Sequence, residues 1–294
     1  MNRKKIALVT GANSGMGRAT SAALARAGFR VIMLCRSEER GKAALEAVRT
    51  AASAGRPAGE PAPEIELALC DLSSAAGIRL FAADLRSRID SLDLLVNNAG
   101  VISPKRLETE DGFELQLGVN HLGHFLLTGL LLDLVEGARG RIVVVASGAH
   151  KIGRIHWDDL QLKKGYSTFG AYAQSKLANV LFARELSRRL AGSGVTVNSL
   201  HPGAVATSMG VDRATGFGGF ATRLLKPFFL TPEQGADTAI FLATSGEVAG
   251  VTGQYFYRRK PASVSKRAGD DEAAKRLWDL SQKLTAAAGL GSRT

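Results

Sequence analysis

Thiols are nearly absent. Cys35 and Cys70 are the only cysteines in 294 residues, too few for a disulfide framework or a cysteine-ligated metal site. Both fall near the ends of expected strands, where a cysteine serves as a small apolar core residue. Long apolar runs are missing too. The longest, Phe125 to Val135, is interrupted by Thr128, Gly129 and Asp133. It falls short of the roughly 20 residues that a bilayer span requires. The basic stretch from Asn2 to Lys5 is followed only by Ile6 to Val9 before Thr10-Gly11, too short for the apolar centre of a secretory signal. The expectation is a cytoplasmic protein with no integral membrane span. Acidic residues are outnumbered, 27 against 38, for a net charge of +11. The basic residues form only short clusters, at Arg3-Lys4-Lys5, Arg188-Arg189 and Arg258-Arg259-Lys260. No aromatic–basic motif or recognition-helix pattern accompanies them, which argues against a nucleic-acid partner. Solubility and a phosphate-bearing cofactor account for the excess.

What is present is a strict alternation of two periodicities. Short apolar runs of strand type occur at 5–10, 29–34, 65–69, 92–96, 141–146, 195–200 and 253–257. Helix patterns fall between them, at 15–27, 38–52, 74–89, 112–136, 170–191 and 231–244. The proline- and glycine-rich stretch 54–63 is a surface loop. Thr231-Pro232 is a helix start, with threonine as N-cap and proline in the first turn. Apolar strands alternating with helices predict an α/β fold: a single doubly wound, Rossmann-type parallel sheet of about seven strands with helices on both faces. That domain is expected over 1–257. A C-terminal extension, 258–294, carries one more helix over about 271–287.

Three places in this frame carry chemistry. Gly11, Gly15 and Gly17 lie between the first strand and the first helix, where glycines let the backbone approach a pyrophosphate and the helix N-terminus supplies N–H donors. Their spacing, Gly-x-x-x-Gly-x-Gly, differs from the commoner Gly-x-Gly-x-x-Gly. At the end of the second strand stands Cys35-Arg36-Ser37, with Arg40 a helical turn on. An acid there would serve a ribose hydroxyl, whereas an arginine suits a 2′-phosphate, so NADP(H) is expected ahead of NAD(H). Tyr172 and Lys176 are four apart on a helix and share a face. An ammonium beside a phenol, whose ordinary pKa is about 10, is expected to lower it and make a tuned proton donor.

Together these motifs resemble the short-chain dehydrogenase/reductase family over roughly residues 4–257. Thr10 to Gly17 resembles its cofactor loop, which implies that Gly11, Asn13, Ser14, Gly15, Met16 and Gly17 contact the dinucleotide. Asp71-Leu72 matches the acidic position after the third strand that contacts adenine. Asn97-Asn98-Ala99-Gly100 matches the motif after the fourth strand, so Asn98, Ala99 and Gly100 join the cofactor set. Pro202, Gly203, Val205 and Thr207 match the loop beside the nicotinamide. Asn120, Ser147, Tyr172 and Lys176 match the catalytic tetrad. A narrower likeness is to the retinol dehydrogenase-like branch, in Cys35-Arg36, the stretch Asn120 to Phe125, Ser147 to His150, Trp157 to Leu160, and Ser175 to Glu185. Membrane-bound members of that branch carry an N-terminal apolar anchor, whereas here the first expected strand begins almost at once. Where those members often place a serine before the catalytic one, this chain has Ala146.

The resemblance implies an enzyme interconverting an alcohol and an aldehyde or ketone. Tyr172 would exchange the proton. Lys176, which also holds the cofactor ribose with Tyr172 beside it, would tune it. Ser147 would hydrogen-bond the substrate oxygen, and Asn120 would fix a water linking Lys176 to solvent. His121 and His124 sit three apart on a helix without a third ligand, so no metal is expected. The apolar stretch 204–230, punctuated by glycines, is expected to form a lid, with Met209, Phe217 and Phe220, together with His150, lining a lipophilic substrate. Family members are often dimers or tetramers, and the apolar flank of helix 170–191 permits such an interface. Two alternatives stand: an NAD-dependent dehydrogenase of the same fold, or a low-turnover cofactor-sensing protein.

Overall fold

Ile6–Thr10, five buried residues without a charge, form β1 at the middle of one sheet. The structure is a computed structural model that describes residues 3–57, 59–204 and 230–288. From β1 the chain runs through α1 (Gly15–Arg26), β2 (Arg30–Cys35), α2 (Glu38–Ser53), β3 (Ile65–Leu69), α3 (Ala75–Arg88) and β4 (Leu94–Asn97). The sheet order is β3-β2-β1-β4-β5-β6-β7-β8, with β5 at Arg141–Val145, β6 at Thr196–His201, β7 at Tyr255–Tyr257 and β8 at Lys260–Pro261. All neighbours are parallel except β7 and β8. Strand order reverses between β1 and β4. A crevice opens there at the C-terminal ends of the strands, where ligands of such sheets bind.

Alternate residues of each strand feed opposite cores, as a period of two requires. Leu8, Ile32, Leu95 and Val144 face one core with α3 and residues of the later helices; Val9, Met33, Val96 and Val143 face the other with α1 and α2. Cys35 and Cys70 are buried on opposite faces. Burial pushes their thiols up, to about 11 and about 12.

The helix expected over 112–136 is not continuous. It is α4 (Leu115–Leu117), a π turn (Gly118–Leu122), α5 (Gly123–Leu130) and, after a 59° bend, α6 (Leu132–Ala138). Close packing is the cause. A Cβ on Gly118 would lie 2.4 Å from Thr109 Cγ2, and one on Gly123 would lie 2.4 Å from the Leu72 carbonyl. Leu131, at φ −109°, ψ 5°, leaves helical geometry and makes the bend. Among the described residues, no single helix is long and apolar enough to cross a membrane.

The eighth strand is one more than expected. It follows a tight turn in which Arg258 and Arg259 both have positive φ, 50° and 62°. Such turns ordinarily use glycine or asparagine. Arg259 is held by its Nε hydrogen bond to Asp237 Oδ2, 2.7 Å, and by its N–H to Thr238 Oγ1, 3.2 Å.

After β5, α7 (Thr168–Arg189) crosses the sheet, and α8 (Pro232–Thr244) starts with a complete capping box from Thr231 and Gln234. The extension carries α9 (Asp271–Ala287), which packs on α7. Trp278 meets Phe125 edge-on at 4.8 Å and stacks on Phe182 at 6.0 Å. Arg276 lies over Trp157 at 4.4 Å. The chain's own last helix thus packs against part of α7, on the side of Phe182.

Candidate functional site

The β1–α1 turn is shaped to admit an anion. Gly11 has φ +64°, and a Cβ there would lie 2.8 Å from Ala99 Cα; a Cβ on Gly17 would meet the Gly11 carbonyl at 2.4 Å. Ser14 is the N-cap but makes no side-chain cap bond, so the first-turn N–H groups keep their donors for a ligand. Asn13 is half-buried beside it, while Met16 and Gly17 are buried. Thr10 ties this turn to the next strand: its Oγ1 accepts from the N–H of Asn98 at 2.8 Å and of Ala99 at 2.9 Å, and Asn98 Nδ2 donates to the Thr10 carbonyl at 2.7 Å. Gly100 follows at the same edge. A side chain at Gly11 or Gly17 would collide with the Ala99 and Gly11 backbone, so both glycines are needed for this tight turn, and its uncapped first-turn N–H groups suit a dinucleotide pyrophosphate.

Away from the turn, Arg36 leaves the end of β2 with its side chain 58% exposed, Nε 3.9 Å from Asp71 Oδ2. Asp71 Oδ1 accepts from Ser73 N–H at 2.9 Å. Leu72 is buried against Gly123. No carboxylate occupies the end of β2 itself, where Cys35-Arg36-Ser37 stands.

Ser147 lies two residues past β5 in extended geometry and opens the short 3-10 turn Gly148–Lys151; its Oγ accepts from Ala149 N–H at 3.2 Å. The hydroxyl proton is therefore not spent on Ala149. Tyr172 and Lys176 project from α7. Lys176 is 2% exposed, its Nζ donates to the Val145 carbonyl at 3.1 Å, and it stands 5.7 Å from the centre of the Tyr172 ring. Burial lowers its pKa to about 8. The Tyr172 phenol is raised, not lowered: burial pushes it up, and a hydrogen bond with Ser147 draws it only part of the way back. The expected depression by Lys176 does not appear; withdrawal from water is the largest cause of the shift.

Asn120 lies in the π turn, fully buried. Its Nδ2 donates to the Val101 carbonyl at 3.1 Å and to Ser175 Oγ at 3.0 Å, and its Oδ1 accepts from Val101 N–H at 2.8 Å. Ser175 in turn donates to the Tyr172 carbonyl at 2.8 Å. Ser147, Tyr172, Lys176 and Asn120 thus come together, joined partly through Ser175. Both amide protons of Asn120 are committed, so a water could be held only at its oxygens. Asn179 Nδ2 shares the Val145 carbonyl with Lys176, at 3.2 Å. Sequence reasoning missed Ser175 and Asn179; each stands three residues beyond a named site residue on the same helix face, which was the available signal.

His150 does not face an open cleft. It is fully buried, its Nδ1 donates to the Ser147 carbonyl at 2.7 Å, and its ring meets Tyr255 edge-on at 4.7 Å. His201 stacks on Tyr257 at 4.9 Å. Pro202 and Gly203 follow β6. Gly203 has φ +89°, and a Cβ there would lie 2.5 Å from Leu230 Cδ1. Val205, Thr207, Met209, Phe217 and Phe220, with all of the expected lid except its end residues Ala204 and Leu230, lie outside the described residues. His121 and His124 do not face each other as ligands: His121 Nε2 pairs with Ser281 Oγ and His124 Nε2 with Thr10 Oγ1, both at 2.8 Å.

Comparison with known proteins places this geometry. The short chain dehydrogenase model matches residues 5–216. The chain is 46% identical to human Retinol dehydrogenase 14 over 95% of its length and 86% of the relative's. Against human Retinol dehydrogenase 13 it is 45% identical, over 95% and 84%. Among solved structures it superposes on a protein from Mycobacterium paratuberculosis with TM-score 0.76 and 35% identity, covering 96% of this chain and 93% of the other. A variant of the actinorhodin polyketide ketoreductase, solved with NADPH, gives TM-score 0.62 at 27% identity over 86% and 95%. The chain belongs to the short-chain dehydrogenase family and is an NAD(P)-dependent oxidoreductase acting on alcohol and carbonyl groups.

Proposed function

We propose that this enzyme prefers NADP(H) and interconverts a lipophilic alcohol with its aldehyde or ketone. The observation that carries the reading is the convergence of Ser147, Tyr172, Lys176 and Asn120 beside the glycine cradle. Arg36, at the end of β2 where an acid would favour NAD, supports the phosphate-bearing cofactor. The relatives named as retinol dehydrogenases support an apolar substrate.

When bound, the cofactor supplies or accepts the hydride. The glycine turn and the first N–H groups of α1 would hold its pyrophosphate, Arg36 and Arg40 its 2′-phosphate, and Lys176 its ribose. Ser147 Oγ donates its proton to the substrate oxygen where negative charge develops. Tyr172 gives that oxygen its proton in reduction or removes it in oxidation. Its raised pKa keeps the phenol protonated at neutral pH, the form that carbonyl reduction needs. Lys176, in turn, stays largely charged below about pH 8.

The test is Tyr172→Phe, which keeps the ring and removes the proton. It is expected to bind NADPH while turnover falls by about 10²–10⁴, the usual worth of a positioned acid; unaltered turnover would end this mechanism. An NADPH-oxidation screen over aldehydes and ketones of graded hydrophobicity, with NADH in parallel, tests substrate and cofactor together. Rates that do not rise with apolar size count against the lipophilic substrate.

A further inference from the structure

His124 is 2% exposed and spans the gap between the two halves of the site. Its Nε2 lies 2.8 Å from Thr10 Oγ1, on the cofactor side, and its Nδ1 lies 3.1 Å from the Asn120 carbonyl, on the relay side. Counting protons fixes its state. Thr10 Oγ1 already accepts two N–H bonds, from Asn98 and Ala99. A hydroxyl oxygen has two lone pairs, so Thr10 can only donate to His124, and that contact is shorter than its 3.3 Å approach to the Val96 carbonyl. Nε2 is therefore the acceptor and bears no proton. The Asn120 carbonyl can only accept, so Nδ1 must bear one. The two counts use different partners and give the same neutral tautomer. Burial and the nearby Lys176 charge both disfavour a second proton.

We propose that His124, as the neutral Nδ1–H tautomer, is a positioning residue that couples the cofactor loop to the proton relay. This rests on Asn120 serving that relay. Thr10 holds the cradle and the Asn98-Ala99 edge together, while the Asn120 peptide sits in a π turn whose side chain is anchored to Val101 and Ser175. His124 links the Thr10 hydroxyl to the backbone of that turn. A residue that merely filled space here would need neither nitrogen. The contrast is His121, whose Nε2 bonds to Ser281 on α9 and whose Nδ1 has no protein partner among the described residues.

Two substitutions separate the two ends. In His124→Asn the amide falls near the Nδ1 position and can still donate to Asn120, but nothing reaches Thr10. In His124→Gln the amide reaches the Nε2 position and the Asn120 bond is lost. The asparagine variant is expected to raise the NADPH dissociation constant more than it lowers kcat. The glutamine variant is expected to lower kcat more than it weakens NADPH. Each larger effect should be about five- to tenfold, the worth of one buried hydrogen bond. Cofactor fluorescence gives the first quantity and single-turnover kinetics the second. Parallel losses in both variants that track their Tm would overturn the coupling and leave a packing role. A direct check uses the unaltered, cofactor-free protein: heteronuclear NMR of the imidazole nitrogens should show His124 protonated at Nδ1 only. Protonation at Nε2 would overturn the proposal without any kinetic measurement. Failure of the reaction mechanism is separately visible, as turnover surviving in Tyr172→Phe.

Discussion

Two ends of the same crevice are held in opposite surroundings. At the β5–α7 end, Lys176 and Asn120 are withdrawn from water and bonded to the Val145 and Val101 carbonyls and to Ser175. At the β2–β3 end, Arg36 and Asp71 are 58% and 34% exposed and 3.9 Å apart. The difference matches what each end would do under the proposed function. Proton transfer needs atoms fixed to within a fraction of an ångström, and buried hydrogen bonds supply that at the cost of desolvating a cation. Recognition of a phosphate needs a charge that exchanges partners readily. An exposed pair, weakly coupled through water, lets Arg36 turn from Asp71 to a ligand at little cost.

The sharpest way to break this contrast is Lys176→Met. Turnover should fall by about 10²–10⁴, as expected for losing a group that supports acid–base transfer. Stability should move the other way. The folded pKa of Lys176 is about 8 against an ordinary 10.5, so burial of the cation costs the cofactor-free protein about 3 kcal/mol below pH 8. That penalty is relieved as pH rises from 8 towards 10.5, because there the unfolded chain binds the extra proton. Methionine removes it, and Asn179 still serves the Val145 carbonyl. Denaturant melts at pH 7 should show the variant more stable, with the gap closing above pH 9. A less stable variant would show that the buried cation is not the burden described.

The dry end also contains the two histidines of the π-turn region, and they set the acid limit. Burial lowers His121 to about 3 and His124 to about 4 from an ordinary 6.5. Below pH 6.5 the unfolded chain therefore binds two protons that the folded chain refuses. The stability these neutral groups contribute is present above pH 6.5 and is lost as pH falls towards 4. These two groups alone add a slope of about 2.7 kcal/mol per pH unit, and His150 and His201, also lowered by burial, act in the same direction. Urea melts across pH 7 to 4.5 measure the slope; His121→Phe should lower it by about 1.4 kcal/mol per pH unit, and an unchanged slope would assign the loss elsewhere.

The same contrast explains what the sequence made legible. Features encoded by neighbours in the chain were readable. The glycine turn follows an apolar strand, Thr231-Pro232 announces α8, and the last helix spans Asp271–Ala287 as its pattern indicated. Tyr172, Lys176, Ser147 and Asn120 stood out by motif, and the fold brings them together. Features set by distant partners were not readable. The π turn depends on Gly118 and Gly123 meeting Thr109 and Leu72. β8 depends on a turn made by two arginines, one of them anchored to Asp237. The phenol of Tyr172 moved against expectation because burial, which a spacing argument does not contain, sets the direction of its shift. His124 resembled half of a metal site until Thr10, 114 residues away, was found on its other side.

The smallest effects belong to the wet end. Arg36→Asp should weaken NADPH by about tenfold, the loss of one charge-assisted bond, and leave NADH within about twofold. The NADPH effect should shrink as ionic strength rises, since the Debye length falls from about 10 Å at 0.1 M salt to 3 Å at 1 M. Arg36→Ala should change folding stability by less than about 0.5 kcal/mol, because the contact it gives up is exposed and long. Titrating both cofactors against both variants at two salt concentrations decides the matter. Equal losses for NADPH and NADH would show that Arg36 does not read the phosphate. A salt-independent loss, or a large fall in stability, would show that this arginine is built into the fold as firmly as Lys176, and the distinction between a fixed end and an exchangeable end would then fail.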